Sequence, residues 1–294
     1  MEHKLRGKSF KIQSAMEYLM TYGWAILIIA VVMVALFALG VFNSSNFAPR
    51  ASAGACQVVR NVESTTLQGQ CQGELPRYVA QFDGNSIISV ANIPGVDAIT
   101  SSGSASVTIT VWASTSATGS MGMVNYNPGN AYGLSLGQDA LYGGDELVYI
   151  DTIQYSLYSP KVSDGNLHFY AFSYDGNSIV NYRDVNGKLV VTTSSKNLNA
   201  NAIAASSPLD IGNGWGGKWV GFISNVQIYN KSLSANDVQQ LYQEGIGGAP
   251  IDPIHIVGWW PLNGNAQDYS GNSNNGKATG IAYTSAWTSM YTQP

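Results

Sequence analysis

The chain has 294 residues, 45% of them hydrophobic, yet only 11% are Asp, Glu, Lys or Arg, against roughly 25% in ordinary soluble domains. The formal charge of −4 is divided unevenly: residues 1–12 hold Lys4, Arg6, Lys8 and Lys11 against Glu2, a local +3, which leaves −7 for the rest. With no clustered basic face a nucleic-acid-binding module is excluded, and two Cys are too few for a disulfide scaffold.

Residues 24–42, WAILIIAVVMVALFALGVF, carry no charge. With Tyr18, Leu19, Met20 and Tyr22 ahead of it, the run reaches the ~20 residues a helix needs to cross a bilayer. The basic cluster precedes it, so residues 1–12 are expected in the cytoplasm and the chain after Phe42 outside. The apolar run is too long for an ordinary cleaved signal peptide. Glu17 is the only charged side chain between Gln13 and Pro49, and a lone carboxylate at the mouth of an apolar run is costly without a partner.

The stretch Gln13-Ser14-Ala15-Met16-Glu17-Tyr18-Leu19, continued by Thr21-Tyr22-Gly23-Trp24-Ala25-Ile26, resembles the processing and assembly motif of archaeal type IV pilin-like proteins. The resemblance implies a leader of residues 1–12, cut between Ile12 and Gln13 by a prepilin-peptidase-like enzyme, and a mature helix over 13–42. Ile12 stands where many such leaders have Gly. The freed amino group would pair with Glu17 of a neighbouring subunit as the helices self-assemble. An uncut signal anchor is the alternative.

Residues 43–76 are a linker, opening with the small and polar NSSNFAPRASAGA that marks an exposed hinge. Asn43-Ser44-Ser45 and Asn230-Lys231-Ser232 are glycosylation sequons. Cys56 and Cys71 on the outer side of a membrane are expected to form a disulfide, worth roughly 3 kcal/mol in the chain-entropy model.

Residues 77–294 are punctuated like an all-β domain. Val107-Thr108-Ile109-Thr110-Val111 alternates with period two, the pattern of a half-buried strand. Phe169, Tyr170, Phe172 and Tyr174 form a second β-prone run, ended by Asp175-Gly176. Asn186-Gly187 divides two apolar runs, a strong hairpin signal, and 219–229 is a further long strand. The late helix has an N-cap at Ser234, Asp237 in its first turn, an apolar face of Val238, Leu241 and Tyr242, and a stop at Gly245.

Phe82-Asp83-Gly84, Asp175-Gly176, Val185-Asn186-Gly187-Lys188, Leu209-Asp210-Ile211-Gly212 and the run Ile228-Tyr229-Asn230-Lys231-Ser232-Leu233-Ser234 occur in the order seen in LamG-like, concanavalin A-like jelly rolls. This part resembles that superfamily over roughly 77–245, which implies a mainly β sandwich and a recognition surface for glycans or surface proteins. One block is out of place. Trp259-Trp260-Pro261-Leu262-Asn263-Gly264 and the turn that follows it normally open such a domain. Here they follow the late helix, which implies either a truncated second copy or, the favoured reading, a circular permutation with residues 255–287 completing the sheets.

Sugar-cleaving jelly rolls need two carboxylates about 5–10 Å apart. Asp145 and Glu146 are adjacent, so a strand would point them to opposite faces, and Asp151 is best explained by solvation. His168 reads as a strand-end residue. No His-Glu metal motif, nucleophile elbow or phosphate loop is present, so no enzyme is expected. A calcium site is the one cofactor considered, at Asp268, Asn272 and Asn274 with Asn225 beside them, set against a turn held by Asx hydrogen bonds. Trp215, Tyr126 and Tyr132 are the candidates for stacking on a sugar. The whole reads as a surface adhesin on a membrane-bound or self-assembling helix. The alternatives are a purely structural filament subunit, a membrane-tethered monomeric lectin-like protein and an anchored glycoside hydrolase.

Overall fold

The computed structural model describes residues 9–38, 75–91, 93, 106–126, 133–139, 145–151, 153–157, 163–195, 208–214 and 216–294. Cys56, Cys71, Asn43, Tyr132 and Trp215 lie outside them. The chain divides into two compact units, Met1–Pro49 and Arg50–Pro294.

In the first unit, α1 spans Ser9–Ala38, starting within the expected leader. Ile12, Gln13 and Glu17 are on this helix, their side chains outside the description. Its described side chains, Met20 and 22–35, form a shorter run than the ~20 residues of a membrane span. Among the described residues no helix is long and apolar enough to cross a membrane. The large apolar side chains of this run, Trp24, Ile28 and Val34 among them, are exposed.

The second unit is a β-sandwich. One sheet contains β1 (Val79–Asp83), β3 (Val107–Ser114), β8 (His168–Tyr174), β9 (Ser178–Val185), β10 (Lys188–Ser195), β14 (Val220–Tyr229), β15 (Ile256–Trp260) and β17 (Ala282–Thr284). Its order is β10-β9-β8-β3-β14-β1-β17, with β15 also on β14. The other holds β2 (Ile87–Val90), β4 (Met121–Tyr126), β5 (Gly133–Asp139), β6 (Asp145–Asp151), β7 (Ile153–Leu157), β11 (Leu209–Ile211) and β16 (Gly276–Thr279), ordered β16-β2-β11-β4-β5-β6-β7. A small hairpin joins β12 (Asn213–Gly214) to β13 (Gly217–Lys218). The predicted turns fall at strand ends: Gly84, Gly176, Asn186 and Gly187 all take positive φ.

β1 and β15 lie end to end along one side of β14. β1 pairs with 220–223 and β15 with 226–229. They meet where β14 shifts register against β3 between Ser224 and Gln227, and where Asn225 has φ 47°. β16 and β17 extend one sheet each, through β2 and β1. The carboxy-terminal strands therefore serve both layers.

Two apolar cores result. Between the sheets are Phe82, Ile88, Val111, Tyr126, Phe172, Trp219 and Trp260. On the outer face of the eight-stranded sheet, Trp112, Phe169, Trp259 and Trp287 pack beneath α2 (Ala235–Glu244) through its Val238, Leu241 and Tyr242. Each fully buried large side chain of this kind contributes roughly 1.5–3 kcal/mol. Alternation along β15 sends Trp259 to the outer core and Trp260 to the inner one. The outer core also corrects the expectation for β3, which is buried on both faces rather than one. Thr108, on its outward side, accepts from Leu233 N at 2.9 Å and donates to Lys231 O at 2.8 Å. Ser234 caps α2 in a reciprocal box with Asp237, as the pattern predicts.

Candidate functional site

The outer face of the seven-stranded sheet carries a polar row. Leu209 and Ile211 of β11 enter the inner core, so Asp210 between them points outward. It stands opposite Ser89, between core residues Ile88 and Val90, and opposite Asn125, between core residues Val124 and Tyr126. The ladder continues the row to register positions Ser135, Tyr149 and Gln154 on one side and Lys277 on the other. The hydroxyl, carboxylate and amide groups of Ser89, Asp210 and Asn125 thus stand side by side on neighbouring strands.

The β12–β13 hairpin folds over this row. Gly212, at φ +82°, turns the chain out of β11, and Asn213 Nδ2 donates to Asp210 Oδ2 at 2.9 Å. Two glycines let the backbones touch: a Cβ on Gly214 would meet Gly122 Cα at 2.7 Å, and one on Gly122 would collide with Gly214. Gly216 leans as closely on Ser120. Asp210 and Asn125 are buried beneath the hairpin, so their role is to seat it. Half-buried Ser89, Asn213 and Lys218 and exposed Lys277 border it. Chemically this is a bed of hydrogen-bond donors and acceptors around one carboxylate. The register neighbours of Asp210 are Ser89 and Asn125, neither of them the second acid that glycoside cleavage requires.

The other candidate residues are distributed as follows. Tyr126 is fully buried in the inter-sheet core, which corrects its assignment as a stacking surface: inward alternation on β4 overrides its polar neighbours. Asp145, Glu146 and Asp151 are backbone members of β6. Asn230 is exposed at the end of β14. His168 is 8% exposed, with Nδ1 3.2 Å from Asp184 and Nε2 3.1 Å from Asp164. Burial opposes its charge, but hydrogen bonds donated to the two carboxylates, with their negative charge, prevail and raise its pKa. Tyr242 donates to the same Asp184 at 3.0 Å, so this cluster fastens α2 to the sheet.

Asp268, Asn272, Asn274 and Asn225, the residues considered for calcium, take part in a hydrogen-bond network around the turn after β15. Asp268 Oδ1 accepts from Trp259 N at 2.9 Å and Ser270 N at 2.8 Å; Oδ2 accepts from Ser270 Oγ at 2.9 Å and Asn274 N at 2.8 Å. Four donors occupy the roughly four acceptor sites of a carboxylate. Asn272 and Asn274 turn their amide NH₂ groups to backbone carbonyls of β15. Asn225 Oδ1 accepts from Trp259 Nε1 and Gln227 Nε2. The set is a hydrogen-bonded turn. Among the described residues no group of three His, Cys, Asp or Glu side chains is placed to hold a metal ion.

Residues 85–239, just over half of the chain, match the Laminin_G_3 family, described as the concanavalin A-like lectin/glucanases superfamily. The chain belongs to that superfamily. Among solved structures this superfamily member is similar to a heptameric SAP-like pentraxin from Limulus polyphemus, at 12% identity over 70% of this chain and 94% of that one, with a TM-score of 0.49. It is also similar to the LG4-5 domains of mouse laminin alpha1, at 14% over 54% and 43%, TM-score 0.36. A third likeness is the CBM40 of a Ruminococcus gnavus IT-sialidase bound to alpha2,3 sialyllactose, at 14% over 60% and 98%, TM-score 0.40. No curated relative matches the chain. Scores and identities this low carry neither ligand nor activity across. The matched residues stop before β15, so the strands that complete the sheets lie beyond them.

Proposed function

We propose that the protein is a non-catalytic surface adhesin that takes a glycan across the outer face of its seven-stranded sheet and is held at the membrane, or in a pilin-like filament, by its amino-terminal helix. The observation that carries the binding role is the polar row roofed by a glycine-rich hairpin. Vicinal hydroxyls of a sugar match hydrogen-bonding groups such as those of Ser89, Asn213 and Lys218, and Trp215, next to Gly214 in sequence, is a residue type able to stack on a sugar ring.

Support for the anchoring role is chemical. The sequence run 24–42 is apolar throughout, and the described part of α1 exposes its apolar side chains. Such a surface is covered either by lipid or by like helices. Glu17 would set the axial offset between subunits by pairing with the amino group freed at Gln13.

A glycan screen of the full chain in detergent tests the binding role. Bound glycans should be lost in Asp210→Ala, which releases Asn213 and the hairpin, and kept in Asp210→Asn, which can still accept from it. Binding that survives Asp210→Ala unchanged places the ligand elsewhere. Mass spectrometry of the native amino terminus, expected at Gln13, tests processing; an intact Met1 favours the uncut anchor.

A further inference from the structure

A second polar feature lies between the sheets, away from the outer row. On β9, Ile179 belongs to the inter-sheet core, so Asn181 and Arg183, two and four residues on, face the same interior. Asn181 is 3% exposed and Arg183 4%. The Arg183 guanidinium stacks with Cζ 5.4 Å from the centroid of Tyr170. A ring face attracts a cation but accepts no conventional hydrogen bond from it.

Among the described residues Arg183 Nε and Nη1 have no hydrogen-bond partner, and neither amide atom of Asn181 has one. The adjacent carboxylate, Asp184, points to the opposite side, where His168, Tyr242 and Gly187 N engage it. Among the described residues the ion pairs involve His168, Lys231 and His255, not Arg183. A buried charge without counter-charge is strongly unfavourable.

We infer that Arg183 and Asn181 form an internal site for a small hydroxycarboxylate anion. Arg183 supplies the positive charge for the carboxylate. Both the NH₂ group and the carbonyl oxygen of Asn181 are unpartnered, and flipping its amide only exchanges them. Its partner must therefore bring an acceptor and a hydroxyl donor together. Chloride would neutralise the arginine and leave the Asn181 carbonyl unpaired. β9 is one strand from the sheet edge, where β10 exposes Val190 and Val191, so the site lies near the border of the sandwich.

The test is thermal unfolding of the full chain in detergent, at fixed pH and ionic strength, in sodium glycolate, acetate or chloride. Glycolate should raise the Tm of the head saturably, by about 4 °C at ten times its Kd, with acetate weaker and chloride weakest. Arg183→Met should erase the differences. Asn181→Leu should reduce glycolate to the level of acetate, which keeps the proposal testable if Arg183→Met does not fold. Equal Tm in the three salts for the wild type, or a glycolate preference that survives Asn181→Leu, overturns it.

Discussion

Glu244 ends α2, where the helix dipole disfavours a carboxylate. Among the described residues its Oε2 is buried without a partner, and Oε1 accepts from Gln240 at 3.2 Å. Burial pushes the carboxyl up to about 7, against a small lowering from Gln240. An acid with a raised pKa holds its proton more tightly in the fold, so the stability it lends is complete below its ordinary 4.5 and is lost as pH climbs toward 7. The shift corresponds to about 3 kcal/mol. His168, also raised, loses its contribution as pH rises through its folded value, so the difference between proteins isolates Glu244. Urea midpoints at pH 4.5 and 8 should show Glu244→Gln losing less stability than the wild type across that interval. Identical losses would falsify the assignment. Nothing local in the sequence marks Glu244 as buried, because its cover comes from Gly248 folding back against it. The capping box of the same helix was legible because it needs only Ser234 and Asp237, three residues apart.

At the scale of elements, the junction of β1, β14 and β15 depends on Asn225. Its Oδ1 accepts from Trp259 Nε1 at 2.8 Å and Gln227 Nε2 at 3.1 Å, while its Nδ2 donates to Gly248 O at 2.8 Å. Tyr229 extends the network by donating to Gln227 at 2.5 Å. Asn225→Ala removes three hydrogen bonds and forces alanine to φ 47°, a left-handed conformation that asparagine tolerates better. The expected cost is about 3 kcal/mol in chemical unfolding; Asn225→Gly, free of the backbone term, should cost less. A loss below about 0.5 kcal/mol for Asn225→Ala would remove the residue from this role. The hairpin over the polar row gives a second element-scale expectation. Gly122→Ala should destabilise by about 1–3 kcal/mol through overpacking against Gly214 and weaken glycan retention. Full retention in a folded Gly122→Ala protein would separate hairpin from ligand. Turns such as Asn186-Gly187 could be read from the sequence because their chemistry is local. The row Ser89–Asp210–Asn125 could not, since it exists only after strands far apart in sequence settle into register. For the same reason the sequence did not show that Asn225 lies at the centre of a junction.

Across the whole molecule, the late block 255–287 occupies positions in both sheets, and its Trp259, Trp260 and Trp287 enter the two cores. The order of short motifs identified the superfamily fold from sequence, and the displaced Trp-Trp block gave the expectation of a circular permutation. The outer core remained hidden, because the strand pattern of β3 does not reveal that a helix and the chain's last residues cover its second face. Deletion of 250–294 should abolish cooperative unfolding of the head, read by near-ultraviolet circular dichroism; a soluble, cooperatively folding truncated head would show that the block is dispensable.

The parallel bridge between Leu167 and Tyr291, with Tyr291 edge-on to Trp112 at 5.3 Å, bears on synthesis. Domains commonly fold as they emerge, amino-terminal parts first, at about 5–20 residues per second. Here strands made early wait for partners within residues 256–291, so neither core can close until that block has been made.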